Sequence, residues 1–317
     1  MLRQFNLSLD DGSLTAYGAW IHYPWSRRLV HVLDEAEFIE VRTNRNRPKI
    51  TKDEQSSLRS KRVGVVGLSV GSAIAMTLAS ERCCGELRLA DFDTLELSNL
   101  NRVRAPIHAL GNYKALTIAR DIAELDPFLE VKCFFERLDA SNLADFLLGE
   151  GPLDLCIEEC DDLGAKVLVR RMAKQHRIPI VMETSDLGML DVERFDLEPN
   201  LPILHGLLSD LDEWDFKRIR DLPDRDKVPY VMAIVGQDGI SVRTRAALQQ
   251  IGKTLKSWPQ LSSAVTRGAG VVAGVSRQVL LGHSSASGRF YSTLNLSPLS
   301  GSWQDTHLNE TIVKASA

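Results

Sequence analysis

Between Lys61 and Lys114 the chain sets glycines, carboxylates, an amide and two cations in an order suited to phosphate chemistry. Gly67-Leu68-Ser69-Val70-Gly71 follows an apolar run and precedes a small-residue segment. Gly67 and Gly71 leave backbone open around Ser69, so a helix beginning there can turn its N–H groups and positive dipole end toward an anion. About 20 residues on, Asp91-Phe92-Asp93 closes a second apolar run, in the position of an acid that bonds a ribose hydroxyl. Period-2 alternation turns both carboxylates to one side. Ser98-Asn99-Leu100-Asn101-Arg102 and then Lys114 follow. Arginine supplies a bidentate fork and lysine a point charge. A nucleotide fold that returns Asn99, Arg102 and Lys114 to its phosphate turn is suited to a triphosphate. Singly, each residue has a plainer reading: a strand-to-helix turn for the glycines, a cap for Asp91 or Asp93, a solvated loop for Arg102 and Lys114. Arg104 reads as a surface charge.

Positioning these groups requires alternating strands and helices. Apolar runs predict strands over 62–67, 86–91, 130–135, 153–158 and 178–183, with a return strand over 188–195. Helical patterns fall at 72–81, 112–125, 141–148 and 163–176. The fold class is therefore α/β: a doubly wound, Rossmann-like, mostly parallel sheet with an N-terminal extension and a helical or irregular C-terminal part. The extension spans 1–60 and holds apolar stretches at 20–25 and 29–33. Thr51-Lys52-Asp53-Glu54 reads as a capping box opening a helix to Ser60. The core spans 61–195, and 196–317 continues the same domain. Pro199, Pro202, Pro223 and Pro229 are expected to break long elements there, with a short charged helix over 210–221. The small residues of 261–282 predict a helix packed closely on the sheet, and 284–317 is weakly patterned.

With 317 residues, 44% apolar and 25% charged, the chain can bury an ordinary globular core. A net charge of −4 gives no global pull toward nucleic acid. Five cysteines, an odd number, with no C-x-x-C pair and no secretory leader, predict reduced thiols and a cytoplasmic location. No run is long and apolar enough to span a membrane.

The glycine turn, Asp91-Phe92-Asp93-Thr94-Leu95-Glu96-Leu97-Ser98-Asn99-Leu100-Asn101-Arg102, Lys114 and Glu159-Cys160-Asp161-Asp162 together resemble the ThiF/MoeB branch of the ubiquitin-activating-enzyme superfamily, across roughly residues 40–195. That resemblance implies an adenylyltransferase that uses ATP and Mg²⁺ to activate the C-terminal carboxylate of a small ubiquitin-like protein or peptide as an acyl-adenylate. Asp91 matches the family's ribose-binding acid. Asp161 matches the aspartate of its C-T-D-N segment, and a carboxylate there suits Mg²⁺ between phosphate oxygens. Arg42-Thr43-Asn44-Arg45 resembles an upstream R-Y-N-R segment, which implies that Arg45 reaches the ATP of a neighbouring subunit in a homodimer. The chain departs from the family in three places. Its glycine loop is one residue short of G-x-G-G-x-G, Asp162 replaces an asparagine, and the two C-x-x-C pairs of a zinc site are missing. No cysteine follows Cys160, so no thioester step is expected, and Cys160 itself reads as a strand-end thiol.

Other readings stay open at this level. A TcdA-like dehydratase would adenylate a carboxylate on modified tRNA. An oxidoreductase module binding NAD or a flavin would use the same βαβ unit, but has no need for Asn99, Arg102 and Lys114. The shortened loop also suits a non-catalytic nucleotide-binding homologue. Some long bacterial proteins join a module with a run like that of residues 181–196, VMETSDLGMLDVERFD, to a nitroreductase-like domain, so a nitroreductase-like partner is a further expectation.

Overall fold

In this computed structural model the residues described are 16–211, 214–236, 239–248, 250, 254–255, 258–283, 286–292 and 313–314. Strands β1 (Ala19–Tyr23) and β2 (Arg28–Val32) form an antiparallel hairpin ahead of α1 (Glu35–Thr43) and α2 (Lys52–Leu58). The α2 start is fixed by its sequence: the Thr51 hydroxyl accepts from the Glu54 N–H at 3.2 Å, and the Glu54 carboxylate accepts from the Thr51 N–H at 2.7 Å. The chain then alternates through β3 (Arg62–Val66), α3 (Gly71–Glu81), β4 (Glu86–Ala90), α4 (Lys114–Leu125), β5 (Glu130–Phe134), α5 (Leu143–Leu148), β6 (Leu155–Glu158), α6 (Leu163–Gln175) and β7 (Ile180–Thr184). Beyond these come β8 (Met189–Glu193), α7 (Phe216–Arg220), α8 (Asp224–Val235), α9 (Val242–Leu248), α10 (Ser262–Leu280), β9 (Gly288–Tyr291) and β10 (Val313–Lys314).

The main sheet runs β10-β9-β8-β7-β6-β3-β4-β5, parallel from β7 to β5 and antiparallel from β7 outward. The parallel strands are apolar almost throughout because helices cover both faces. Val63, Val65, Leu89, Ile157 and Val181 pack beneath α3 and α10, whose Ala269, Val272 and Ala273 permit the close approach expected of 261–282. Val66, Cys156, Ile180 and Met182 pack on the opposite face against α5 and α6. After β3 the chain moves to β4 on one side, whereas β6 lies on the other, so the carboxyl ends of β3 and β6 form a topological switch point where ligands bind in such sheets.

Two expectations for the C-terminal part are revised. The helix expected over 210–221 is confined to Phe216–Arg220, and α8 runs through Pro229 instead of breaking at it. Strand β9, in the stretch read as weakly patterned, pairs with β8 and extends the sheet. Most of that stretch, and residues 1–15, lie outside the described residues. Among the described residues no helix is long and apolar enough to cross a membrane.

Candidate functional site

A cleft of about 640 Å³ opens at the switch point and is lined by Gly67, Ser69, Asp91, Asp93, Asn99, Arg102, Lys114 and Asp161. The two loop glycines have different work. Gly67 has φ +84°, and a β-carbon on it would lie 2.8 Å from the Cys160 nitrogen, so only glycine lets the turn close onto the end of β6. A β-carbon on Gly71 would meet Val65 at 2.7 Å, which makes Gly71 the residue that seats α3 on β3. Among the described residues, the N–H groups of Ser69, Val70, Gly71 and Ser72 donate to no protein acceptor. The start of α3 is therefore an unfilled set of donors at the positive end of an 11-residue helix.

Asp91 is buried, and its carboxylate accepts from the Leu68 N–H at 2.7 Å and the Asp93 N–H at 2.8 Å. Burial raises its pKa, with Lys114 pulling the other way. Lys114 is the first residue of α4, where a cation opposes the helix dipole. It is buried there and held by Asp93 at 2.8 Å. Arg102 donates through Nε to the Ser69 hydroxyl at 2.8 Å, which ties the cationic fork to the glycine turn. Burial lowers the Arg102 pKa and the charge of Asp161 acts against that. Asn99 uses its carbonyl to accept from the Glu96 N–H at 3.0 Å, so its amide nitrogen is the end left for a ligand.

Asp161 and Asp162 divide two tasks. Asp162 caps α6, accepting from the Ala165 N–H at 3.0 Å, and pairs with Arg137. Asp161 is exposed and, among the described residues, accepts no hydrogen bond. Beneath them, burial works against ionisation of Glu158, but Lys166 and Arg170 override it and hold its carboxyl at about 2. Glu158 also accepts from the Cys160 N–H at 2.8 Å, anchoring the turn that carries Asp161. Cys160 is half-buried, and burial together with Glu158 pushes its thiol well above the usual range, which suits a packed thiol over a nucleophile. Among the described residues no three His, Cys, Asp or Glu side chains converge as a metal cage. A Mg²⁺ ion bridging phosphates needs only one or two carboxylates, and Asp161 fits that requirement.

Arg45 is not brought to this cleft. It is exposed in a turn at Asn44–Asn46. Neighbouring Asn46 donates to the Glu81 carbonyl at 3.1 Å, at the far end of α3 from the phosphate turn. Two groups went unread in the sequence. Arg137 lies 4.3 Å over the Phe92 ring and lines the cleft. Its place just past β5, at the same sheet edge, was the available signal. Glu183 lines a second chamber adjoining the cleft, and nothing local in its sequence marks it, whereas Glu159, within the segment that carries the resemblance, lines both spaces.

The ThiF family model matches residues 42–205, just over half of the chain. An uncharacterized protein, MT1398, of Mycobacterium tuberculosis (strain CDC 1551 / Oshkosh) is 47% identical over 280 residues, covering 88% of this chain and 38% of that protein. The molybdopterin-synthase adenylyltransferase of Haemophilus influenzae is 26% identical over 157 residues, covering 49% of this chain and 63% of that protein. The chain thus spans 38% and 63% of the lengths of these two curated relatives. Among solved structures, the Escherichia coli tRNA N6-threonylcarbamoyladenosine dehydratase TcdA, in complex with AMP, superposes with a TM-score of 0.55 at 16% identity, over 80% of this chain and 98% of that one. At that identity the likeness concerns the fold.

Proposed function

Because the chain belongs to the ThiF family, we propose that its switch-point cleft binds ATP and activates a carboxylate as an acyl-adenylate. The observation that carries this reading is the meeting of Asp91, Arg102, Lys114 and Asp161 around the open N-terminus of α3. A substrate carboxylate oxygen attacks the α-phosphorus, the bond from that phosphorus to the bridging oxygen breaks, and pyrophosphate leaves. Charge accumulates on the phosphates, and the protein's contribution is to neutralise and orient it. Arg102, fixed to Ser69, and Lys114, fixed to Asp93, are placed for that service. Gly67 and the N–H groups opening α3 cradle a phosphate, and Asp91 and Asn99 hold the nucleoside end. Asp161 would hold Mg²⁺, which would supply positive charge to offset that of the phosphates. No thioester step is included.

The acyl donor is a small carrier protein or peptide terminus, in keeping with the activity named for the Haemophilus relative. The proposal includes a cytoplasmic homodimer in which Arg45 acts in trans, and a nitroreductase-like partner downstream. The 280 matched residues make up only 38% of the mycobacterial relative, which leaves room for such a partner in the same chain. A tRNA-borne carboxylate, the alternative suggested by the TcdA fold, is disfavoured by the net charge of −4. ATP binding tests the nucleotide site directly. Calorimetric titration should show saturable ATP binding that Lys114→Ala weakens at least tenfold. Binding of NAD or a flavin in place of ATP would overturn the proposal.

A further inference from the structure

Beside the phosphate cleft, on the β7 side of the switch point, lies a chamber of about 380 Å³. Glu159, Cys160 and Asp161 line both spaces, so the two are continuous at the turn after β6. One wall is a stripe of α8: Val228, Val231, Met232 and Val235 recur at three- and four-residue spacing and so share one face of the helix. Ile240 and Trp258 complete it. An apolar stripe on a helix ordinarily buries itself against a core. Of this one only Val235 is buried; Val231 and Met232 are half-buried, and Val228 is 51% exposed. The stripe borders open volume.

The charged groups at the chamber are engaged by the protein. Lys166 pairs with Glu158 at 3.0 Å, the Asp186 carboxylate takes the Ser241 N–H at 2.7 Å, and Glu159 takes the Glu183 N–H at 2.9 Å. Burial and the neighbouring Glu183 carboxyl raise Glu159 well above the usual carboxylate range, which favours its neutral form. The Gln260 carbonyl accepts from the Asn101 side-chain amide at 2.8 Å. The segment carrying Trp258 is thereby tied to the loop that bears Asn99 and Arg102, and one frame holds both spaces. A carboxylate reacting at the phosphates stands at the Asp161 junction, so whatever its neighbouring carbon carries reaches the chamber. A terminal glycine leaves the apolar volume unfilled. A polar side chain gives up its water to a largely apolar wall. A branched aliphatic or aromatic side chain gains from burial there.

We propose that this chamber is a specificity subsite for the acyl donor, and that the donor is a peptide or protein chain whose C-terminal residue carries a bulky apolar side chain. That side chain lies against the α8 stripe and Trp258, with the terminal carboxylate at the Asp161 junction. The placement of the carboxylate rests on the adenylation reading; the choice of side chain rests on the chamber alone. Val228, Val231 and Met232 are then specificity-determining residues.

The test uses the full chain with a non-hydrolysable ATP analogue, titrated calorimetrically with N-acetylated glycine tripeptides whose last residue is leucine, phenylalanine, glycine or aspartate. Burial of the side chain predicts that the Leu- and Phe-ended peptides bind at least about tenfold more tightly than the Gly-ended one. Met232→Trp, which fills the chamber, and Val228→Asp, at a position open enough to tolerate a charge in the fold, should each bring that ratio close to one while the ATP analogue binds as to the wild type. Equal binding of Gly- and Leu-ended peptides, a ratio that survives both substitutions, or no binding by any peptide would each overturn the inference. An Asp-ended peptide binding as well as the Leu-ended one would assign the chamber to Lys166 and Lys227 and overturn it too. Pyrophosphate exchange on the same samples separates the two readings. An apolar preference in binding without exchange keeps the chamber and sinks adenylation. Exchange supported equally by Gly- and Leu-ended peptides keeps adenylation and sinks the chamber.

Discussion

At Lys114 a buried ammonium sits where a helix dipole disfavours it, opposite an Asp93 side chain that is 52% exposed. A partner so open to water contributes at most about 1 kcal/mol to stability. A phosphate-neutralising role in the transition state is worth several kcal/mol, a factor of 100 or more in rate. Lys114→Ala is therefore expected to cut pyrophosphate exchange at least about 100-fold while lowering stability only slightly; thermal melts and exchange rates measured together check this. Comparable loss of both would make Lys114 structural. Glu183 gives a prediction of a different kind. Its carboxyl is raised by burial to about 7, so the folded chain holds a proton that the unfolded chain, titrating near 4.3, has already released. Stability supplied by this site is greatest at low pH, declines through that window and is flat above it. Glu183→Gln cannot ionise, so it should gain on the wild type by on the order of 3 kcal/mol between pH 4 and pH 8. Urea unfolding at the two pH values would show an unchanged gap if the acid were not strained.

Among the elements, α6 carries the consequence of a charge pattern buried in the core. Arg170 is fully buried and bridges Glu158 at 2.5 Å and Glu193 at 2.6 Å. Removing one member of such a set leaves uncompensated buried charge, at a cost of about 3–5 kcal/mol. Arg170→Leu should therefore lower the denaturation midpoint by that equivalent and loosen the turn bearing Asp161; a loss under about 1 kcal/mol would contradict the network's importance. The parallel strands were legible to within a residue or two, because each is a short apolar run ended by a turn or a charged pair. The β1–β2 hairpin was not, since Trp20, Leu29 and Val30 are exposed and their alternation is not that of a half-buried strand. Asp91, Arg102, Lys114 and Asp161 could be singled out because a strand-turn-helix order puts them at one sheet edge. Glu183 could not, because its isolation depends on Gly268, distant in sequence, closing over it. Capping of α6 falls to Asp162, which leaves the Asp161 carboxylate exposed in the cleft.

For the whole molecule, Arg45 is the residue that the proposed dimer would supply in trans. It sits by the far end of α3, whose 11 residues span about 16 Å, so it does not serve the cleft of its own chain. If it serves a partner's cleft, Arg45→Ala and Lys114→Ala are each impaired alone, yet mixing them should restore about a quarter of wild-type exchange through hybrid dimers that carry one intact site. No recovery on mixing would place the active unit within one chain. The most direct test of the central claim is ATP–pyrophosphate exchange, run for the wild type beside Lys114→Ala and Asp161→Ala, with carrier-protein, peptide and amino-acid carboxylates as candidates. Carboxylate-dependent exchange that both substitutions abolish is the predicted result. Tight ATP binding with no exchange for any candidate would contradict adenylation by this chain.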